Sequence, residues 1–245
     1  MINMAVWVAT DLHGNYDLWA QIKAFLKEDD TLIYLGDAVD RGSRGFEIFM
    51  ELLNDERVCY LRGNHEEMMA DAYIIPEDPK ILKHWLRNGG GATKANIDSL
   101  GLEWEQKKEL MRKVYQLPCY AEYTSDVNGL KFILCHAGYT PGDFYNNMDK
   151  WRKEQYLLWS RDHWRLPWPQ DPEYDNVVIV HGHTPILLMN EPGKDIQMDG
   201  LAPYWYQENH KLNLDAATAN TGIAFLFNLD TLDWEYFLAN PDFKE

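Results

Sequence analysis

The sequence predicts an α/β fold, because short apolar runs alternate with amphipathic stretches and because the apolar runs end in clusters of polar residues. Apolar side chains in residues 16–27 recur at helical spacing, whereas residues 4–9 and 31–35 are short apolar runs typical of buried strands. The first part of the chain therefore follows the order of a sheet flanked by helices. The predicted strands are residues 4–9, 31–35 and 58–61, and the predicted helices between them are residues 16–27 and 46–53.

The rest of the chain divides into a helical stretch and a second set of strands. Residues 66–120 are irregular but mostly helical, and the triple glycine at 89–91 predicts a stop or loop. Residues 190–211 are rich in proline, glycine, asparagine and aromatic residues, and we expect a long surface loop there. The predicted helices are residues 81–87 and 103–116, and strands return at residues 130–135, 177–180, 222–227 and 234–237.

The charge of the chain limits its partners. The 245 residues include 23 basic and 39 acidic side chains, which gives a formal net charge of −16. A surface this acidic repels polyanions, so we expect no nucleic-acid partner, and the charge also counts against an enzyme that acts on nucleic-acid ends. A phosphate substrate remains compatible with this charge, because bound metal ions can invert the local field.

Cysteine usage and hydropathy favour a cytoplasmic protein. Cys59, Cys119 and Cys135 are odd in number and lack CxxC spacing, which argues against a disulfide framework or a structural zinc site. No apolar stretch approaches the roughly 20 residues that span a membrane, so we expect no membrane association. The N-terminus also lacks the basic region of a leader peptide.

Clusters of potential metal ligands follow five of the predicted strands. The carboxyl ends of strands in an open α/β sheet share one edge, so clusters at these positions can converge on one site. Aspartate, histidine and asparagine together suit divalent ions such as manganese, iron or zinc, whereas a structural zinc site would use cysteines. The clusters are Asp-Leu-His-Gly at 11–14, Gly-Asp-Ala-Val-Asp-Arg-Gly at 36–42, Arg-Gly-Asn-His-Glu at 62–66, His-Ala-Gly at 136–138 and His-Gly-His-Thr at 181–184.

In this order, the five motifs resemble those of the PPP-type serine/threonine phosphatases of the calcineurin-like metallophosphoesterase superfamily, and the match spans residues 11–184. The chain is more similar to the compact bacterial and phage forms, because the eukaryotic C-terminal signature Ser-Ala-Pro-Asn-Tyr is absent. The resemblance implies a central β-sandwich flanked by helices. It also implies a single metallophosphoesterase domain over residues 1–245, in which 66–125 and 190–211 are variable insertions that face the substrate.

The resemblance assigns a role to each motif residue. It implies two divalent metal ions, with manganese preferred and iron or zinc as options, and Asp37 as the ligand that both ions share. It also implies that His65 is the general acid and that Asp40 orients its ring. The implied metal ligands are Asp11, His13, Asp37, Asn64, His136 and His183; the catalytic residues are His65, Asp40, Arg41 and Arg62; and the phosphate-binding residues are Arg41, Arg62 and Arg161.

Three positions depart from the wider family pattern. Thr10 stands where the first motif usually has glycine, at a position that does not bind metal. Pro185 stands where many metallophosphoesterases have a second histidine of a Gly-His-x-His motif, which agrees with the PPP branch. His181 is additional, and we expect it to support its neighbours rather than to bind metal.

The predicted reaction is the two-metal-dependent hydrolysis of phosphate monoesters. A pair of metal ions lowers the pKa of a bridging water, and the hydroxide attacks phosphorus while His65 protonates the leaving group. Arginine guanidinium groups match phosphate oxygens in pairs. The expected substrates are phosphoserine and phosphothreonine in proteins, with phosphotyrosine as a further option, so the partner is a phosphoprotein or a small phosphorylated molecule.

Two other functions are compatible with the sequence. A hydrolase of dinucleoside polyphosphates, such as diadenosine tetraphosphate, uses much the same motifs and needs a surface on which bases stack. The other hypothesis is a non-catalytic, metal-binding interaction module. Enzymes that have lost their activity usually lose metal ligands first, and here every expected ligand is present, which argues against this hypothesis. The aromatic candidates for a stacking surface are Trp85, Trp104, Tyr204, Trp205 and Tyr206.

Overall fold

Two five-stranded sheets pack face to face in the computed structural model, which describes residues 4–189 and 201–240. The strand orders are β10-β9-β1-β2-β3 and β4-β5-β6-β8-β7. Apolar side chains from both sheets, among them Val8 and Ile33 from one and Phe132 and Val180 from the other, form the core between them. The strands are β1 Val6–Ala9, β2 Thr31–Tyr34, β3 Val58–Tyr60, β4 Tyr120–Thr124, β5 Lys131–Cys135, β6 Val177–His181, β7 Tyr204–Tyr206, β8 Lys211–Asn213, β9 Ile223–Asn228 and β10 Trp234–Leu238.

Helices cover the outer faces of the sandwich. Leu18 on α1 and Phe49 on α2 belong to the same buried cluster as Leu32 of the first sheet. Leu157 on α8 packs with Ile133 of the second sheet. The helices are α1 Tyr16–Phe25, α2 Gly45–Asn54, α3 Asn64–Ile74, α4 Pro79–Arg87, α5 Gly91–Ser99, α6 Trp104–Gln116, α7 Asp143–Asn146, α8 Lys150–Trp159 and α9 Thr218–Thr221. The predicted α/β class and the sandwich flanked by helices are thus confirmed.

The topology brings the ends of six strands to one edge. Strands β1, β2 and β3 run parallel in the first sheet, and β5, β6 and β8 run parallel in the second. The two sets meet where the ring of His136, after β5, lies with Nδ1 2.8 Å from the carbonyl oxygen of Leu35, after β2. Residues that follow these strands are therefore neighbours in space, as the strand-end clusters predict.

One local prediction was wrong. Residues 190–211 are not a loop throughout, because β7 lies within them and β8 begins at Lys211; residues 190–200 are outside the described part of the chain. Strand β8 pairs with the buried β6, and Leu212 enters the core, but runs of three residues are too short to show an alternating pattern in the sequence. The stop predicted at the triple glycine is found, because α4 ends at Arg87, and Gly91 then begins α5.

Strand β4 and helix α8 were not predicted. Side chains along β4 alternate between exposed and half-buried, and this edge strand pairs with β5 alone in the described sheet. Helix α8 begins at the side-chain cap of Asp149, which accepts a hydrogen bond of 2.8 Å from the backbone N–H of Arg152. None of the described helices is long and apolar enough to cross a membrane.

Lys211 on β8 is a buried cation whose partners are neutral. It is 1% exposed, and its ammonium group donates to the backbone carbonyls of His163 and Leu166. Burial lowers the pKa of Lys211 from 10.5 to about 8. Between these two values the unfolded chain binds more protons than the folded chain, so folding should become more favourable as the pH rises from 8 to 10.5.

We therefore expect Lys211→Met to change the pH dependence of stability. As the pH rises from 8 towards 10, the free energy of unfolding of the wild type should rise relative to that of the variant, by at most about 1.4 kcal/mol per pH unit. Urea unfolding at several pH values measures this difference. The control is Lys131→Met, because Lys131 is a more exposed lysine paired with Glu122, and its curve should run parallel to that of the wild type. A parallel curve for Lys211→Met would contradict the burial argument.

Candidate active site

The loops after β1 and β2 hold five of the predicted site residues in a strained backbone conformation. Hydrogen bonds between the loops fix them: the N–H of His13 donates to the carbonyl of Asp37 at 3.0 Å, and that of Gly14 donates to Ala38 at 2.9 Å. Left-handed φ values are uncommon for residues other than glycine and concentrate at functional sites. The predicted site residues with such values are Asp11 (53°), His13 (46°), Asp37 (59°), Asp40 (71°), Arg41 (69°) and His183 (65°).

Asn64, His136 and His183 converge from three strand ends. The amide oxygen of Asn64 lies 2.8 Å from His136 Nε2 and 2.8 Å from His183 Nδ1. The bond from His136 Nδ1 to the Leu35 carbonyl turns Nε2 towards Asp37, whose Oδ2 is 3.4 Å away. The structure therefore brings these three predicted site residues and Asp37 together.

Two groups of donor atoms could each hold a metal ion in the described part of the chain. One contains His13, Asp37 and His65, and the other contains Asp37, His136 and His183; within each group the donor atoms lie within 4.8 Å of one another. Asp37 belongs to both groups. The first group differs from the predicted ligand set, because it contains His65, whereas Asp11 lies beside it with Oδ1 3.9 Å from His13 Nε2.

The electrostatics of these side chains fit divalent cations. Burial raises the pKa of Asp11, as does repulsion from Asp215, and burial raises the pKa of Asp37, as does repulsion from Glu66 and Asp11. Burial also lowers the pKa of His13 and His183, and lowers that of His136 to about 3, so these rings are neutral and can bind metal. Buried carboxylates beside neutral imidazoles lack a countercharge, and a bound cation supplies one.

His65 and Asp40 form a buried pair beside the donor groups. His65 Nδ1 lies 2.7 Å from Asp40 Oδ2, and the indole N–H of Trp85 donates to the same oxygen at 2.8 Å. The backbone N–H of Asp40 donates to Thr93 Oγ1 at 2.9 Å. The carboxylate therefore holds a proton on Nδ1 and leaves Nε2 towards the donor groups, 3.9 Å from Asp37 Oδ2 and 3.2 Å from Arg41 Nη2. Trp85 and Thr93 were not predicted to have this role, because no local pattern marks them.

The structure brings two of the three predicted arginines to the mouth of the site. Arg41 is exposed next to His65, and Arg161 is exposed with Nη1 3.5 Å from Thr184 Oγ1, beside His183. Arg62 contacts other side chains instead in the described conformation. It is 4% exposed, and its Nη2 lies 2.9 Å from Cys119 Sγ and 3.4 Å from Glu154 Oε2.

Sequence reasoning missed two buried carboxylates. Glu66, at the end of the Arg-Gly-Asn-His-Glu motif, accepts backbone hydrogen bonds from Asp37 at 2.8 Å and Gly63 at 3.0 Å, so it joins two ligand loops. Asp215 follows β8 and accepts from the N–H of Ala217 at 2.8 Å; burial raises its pKa to about 6. The motif signals Glu66, whereas Asp215 follows β8, a strand that the sequence did not predict.

The five aromatic candidates for base stacking do not form one surface. Trp85 is buried against Asp40, Tyr206 is buried, and the ring of Trp205 packs 5.9 Å from that of Phe227. Trp104 is exposed at the start of α6, near Tyr73.

A different groove, of about 560 Å³, borders the site instead. The ring of Trp159 lies 6.4 Å from that of His183, which places one end of this groove at the donor groups. Its lining residues include Arg62, Glu67, Tyr115, Trp151, Glu154 and Trp159.

Comparisons with known proteins agree with this geometry. The family model described as calcineurin-like phosphoesterase matches residues 4–217. Serine/threonine-protein phosphatase 2 of Escherichia coli K12 is 32% identical over 160 residues, which are 64% of this chain and 68% of that protein. The symmetrical bis(5'-nucleosyl)-tetraphosphatase of Vibrio vulnificus is 31% identical over 144 residues, which are 56% of this chain and 46% of that protein.

Solved structures support the fold. A putative diadenosine tetraphosphatase superimposes with a TM-score of 0.58 at 13% identity, over 98% of this chain and 96% of its own. A serine/threonine phosphatase from Saccharomyces cerevisiae superimposes with a TM-score of 0.57 at 16% identity, over 98% of this chain and 82% of its own. At these identities the likeness concerns the fold alone.

Proposed function

Because the chain belongs to the calcineurin-like phosphoesterase family and is a metal-dependent hydrolase of phosphate esters, we propose that it dephosphorylates phosphoserine and phosphothreonine in proteins, with phosphotyrosine as a further substrate. The observation that carries this proposal is the position of Asp37, which is shared by two donor groups beside the His65–Asp40 pair. A phosphatase needs a charge-neutralising centre and a proton donor next to each other; the donor groups would hold the metal ions of such a centre, and His65 would be the proton donor.

Asp11, His13 and Asp37 would hold one metal ion, and Asp37, Asn64, His136 and His183 would hold the other. Carboxylate, amide and imidazole donors suit manganese(II), with iron or zinc as options. When bound, such ions supply an acidified water as the nucleophile and neutralise the charge of the phosphate. Glu66 keeps the Asp37 loop in register with the loop that carries Asn64.

His65 would donate a proton to the leaving oxygen from Nε2. Asp40 accepts from Nδ1 and therefore orients the ring, while Trp85 holds the carboxylate in place. Arg41, 3.2 Å from Nε2, would move from the ring to a phosphate oxygen when an ester binds.

Arg161 and Arg62 would complete the phosphate site. Arg161 is exposed beside His183 and can reach an anion at the mouth. Arg62 would bind the phosphate by giving up its contact with Cys119, because an anionic oxygen is a far stronger acceptor for a guanidinium than a thiol; its contact with the Glu154 carboxylate is long, at 3.4 Å.

The groove favours a peptide over a dinucleoside polyphosphate. Its carboxylates, Glu67, Asp71 and Glu154, outnumber the cations Arg62 and Lys80. This excess adds to a net charge of −16, so a polyphosphate chain in the groove would be repelled. We further propose that residues 66–125, which supply α3, α4 and α6, are the substrate-facing insertion of a single cytoplasmic phosphatase domain over residues 1–245.

The test offers both substrates in one sample. The manganese-loaded protein is mixed with a phosphothreonine peptide and diadenosine tetraphosphate, and phosphorus NMR follows both. Free phosphate from the peptide with the dinucleotide intact supports the proposal. Release of ADP, or of ATP and AMP, with the peptide intact would instead support the dinucleotide hydrolase. A sample with excess chelator is the control for metal-independent hydrolysis.

A further inference from the structure

A cluster of three buried polar side chains lies behind the site and has no part in the proposed chemistry. His163, His181 and Tyr206, here called the Tyr206 cluster, are 0%, 0% and 4% exposed. The hydroxyl of Tyr206 lies 2.7 Å from His181 Nε2 and 3.1 Å from His163 Nε2. The two imidazoles meet edge to face with their centroids 4.5 Å apart.

The hydrogen bonds assign the protons of the cluster. His181 Nδ1 lies 3.0 Å from the carbonyl oxygen of Gly182, which only accepts, so Nδ1 carries the proton and Nε2 is an acceptor. The single hydroxyl proton of Tyr206 therefore goes to His181 Nε2. His163 Nε2 must then donate to the Tyr206 oxygen. His163 Nδ1 is left without a proton, and it is the one ring nitrogen of the cluster without a partner among the described residues.

The cluster connects three loops of the site. His181 is two residues before the ligand His183, and His163 is two residues after Arg161. The ring of His163 also packs on Gly138, two residues after His136, so closely that a Cβ at Gly138 would overlap it. Tyr206, on β7, is the common partner of the two histidines.

The segment that carries Arg161 depends on the same strand pair. Gln207, next to Tyr206, donates from Nε2 to the carbonyls of Trp164 at 2.8 Å and Leu166 at 2.5 Å. Lys211 on β8 donates to the carbonyl of His163. Arg161 itself makes a long contact of 3.5 Å with Thr184, so its position is set by how its segment is anchored.

From these contacts we infer that Tyr206 is a positioning residue: through His163 it holds Arg161 at a fixed distance from the metal-ligand loops. The inference rests on the proposed function, because Arg161 needs this placement only if the chain binds a phosphate ester. Tyr206 does not touch the substrate. Loss of the Tyr206 hydroxyl should therefore weaken the binding of phosphate by Arg161 and leave the manganese content of the site unchanged.

The test is a double-mutant cycle between Tyr206→Phe and Arg161→Ala. The phenylalanine removes the hydroxyl and keeps the ring in the core. We expect Tyr206→Phe to raise the KM for p-nitrophenyl phosphate and the inhibition constant of inorganic phosphate about tenfold, with kcat and manganese content nearly unchanged. In the Arg161→Ala background the same substitution should have almost no further effect. A tenfold rise in that background as well, or a loss of manganese, would overturn the inference.

Two further variants separate positioning from folding. His163→Gln retains an N–H donor for the Tyr206 oxygen and should keep the KM near that of the wild type, whereas His163→Leu should reproduce Tyr206→Phe. The control is Tyr123→Phe on β4, which removes a hydroxyl bonded at 2.7 Å to Asp230 in the turn after β9 and should leave the KM unchanged. An equal rise in KM for His163→Gln and His163→Leu would overturn the inference. A wild type without activity on any ester would overturn it together with the proposed function.

Discussion

Asp37→Asn should lower kcat for phosphate esters by about 10³-fold or more, and should lower the metal content of the purified protein. Asp37 is the carboxylate that both donor groups share. Its Oδ2 lies 3.4 Å from His136 Nε2 and 3.6 Å from His13 Nε2, so one oxygen faces ligands from both sheets. An amide at this position removes the negative charge on which both ions depend, while it keeps the size of the side chain.

The stability of the same variant separates a lost metal site from a damaged fold. Without metal, Asp37 is a buried carboxylate without a countercharge, and burial raises its pKa. The metal-free Asn variant should therefore be at least as stable as the metal-free wild type. Added manganese should raise the melting temperature of the wild type much more than that of the variant, because a ligand stabilises only the state that binds it.

The measurements are manganese content after dialysis, thermal melts with and without manganese, and turnover of p-nitrophenyl phosphate. Asp30→Asn is the matched control. Asp30 is also a buried carboxylate, but it accepts from the N–H of Ala5 at 3.2 Å and that of Lys27 at 3.0 Å, at the opposite end of β1 and β2. The Asp30→Asn variant should be less stable than the wild type and should bind as much manganese as the wild type does. Wild-type turnover in Asp37→Asn would rule out the shared-ligand assignment.

The sequence could predict which of these residues lie together, because they are local to strand ends. Asp11 and Asp37 come directly after apolar runs, and parallel strands bring such positions to one edge whatever the details of packing. The same logic applies to His136 and His183, which follow β5 and β6 of the second sheet. The motifs also signalled Glu66, although its role in joining loops became visible only from its hydrogen bonds.

What the sequence did not show depends on contacts between distant segments. Trp85 reaches Asp40 across 45 positions of the chain, and the hydroxyl of Tyr206 reaches His163 across 43. Short strands conceal such residues further, because three residues in β7 cannot display an alternation of buried and exposed side chains. Arg62 is a different case: its motif predicts a place at the phosphate, but the described side chain is drawn to Cys119 and Glu154.

His65→Asn tests whether this ring is an acid or a ligand, since the geometry allows either. Its Nδ1 is bound to Asp40 at 2.7 Å, which suits a proton donor, but its Nε2 is grouped with His13 and Asp37 as a possible metal donor. As an acid, His65 matters most when the leaving group is basic. A phosphothreonine peptide, which releases an alkoxide, should lose about 10²–10⁴-fold in kcat. p-Nitrophenyl phosphate has a weakly basic leaving group and should lose far less.

The two roles differ in what accompanies the loss of rate. If His65 is the acid, manganese content stays at the wild-type level and the losses on the two substrates are unequal. Equal losses with reduced manganese would assign the ring to the metal. His210→Asn is the control, because His210 Nδ1 lies 2.9 Å from the carbonyl oxygen of Val177, at the start of β6 and away from the site. This variant should change neither the manganese content nor the rate on either substrate. We expect the unequal pattern, because Asp40 fixes the proton on Nδ1 and Trp85 fixes Asp40, an arrangement that orients a ring for proton transfer at Nε2.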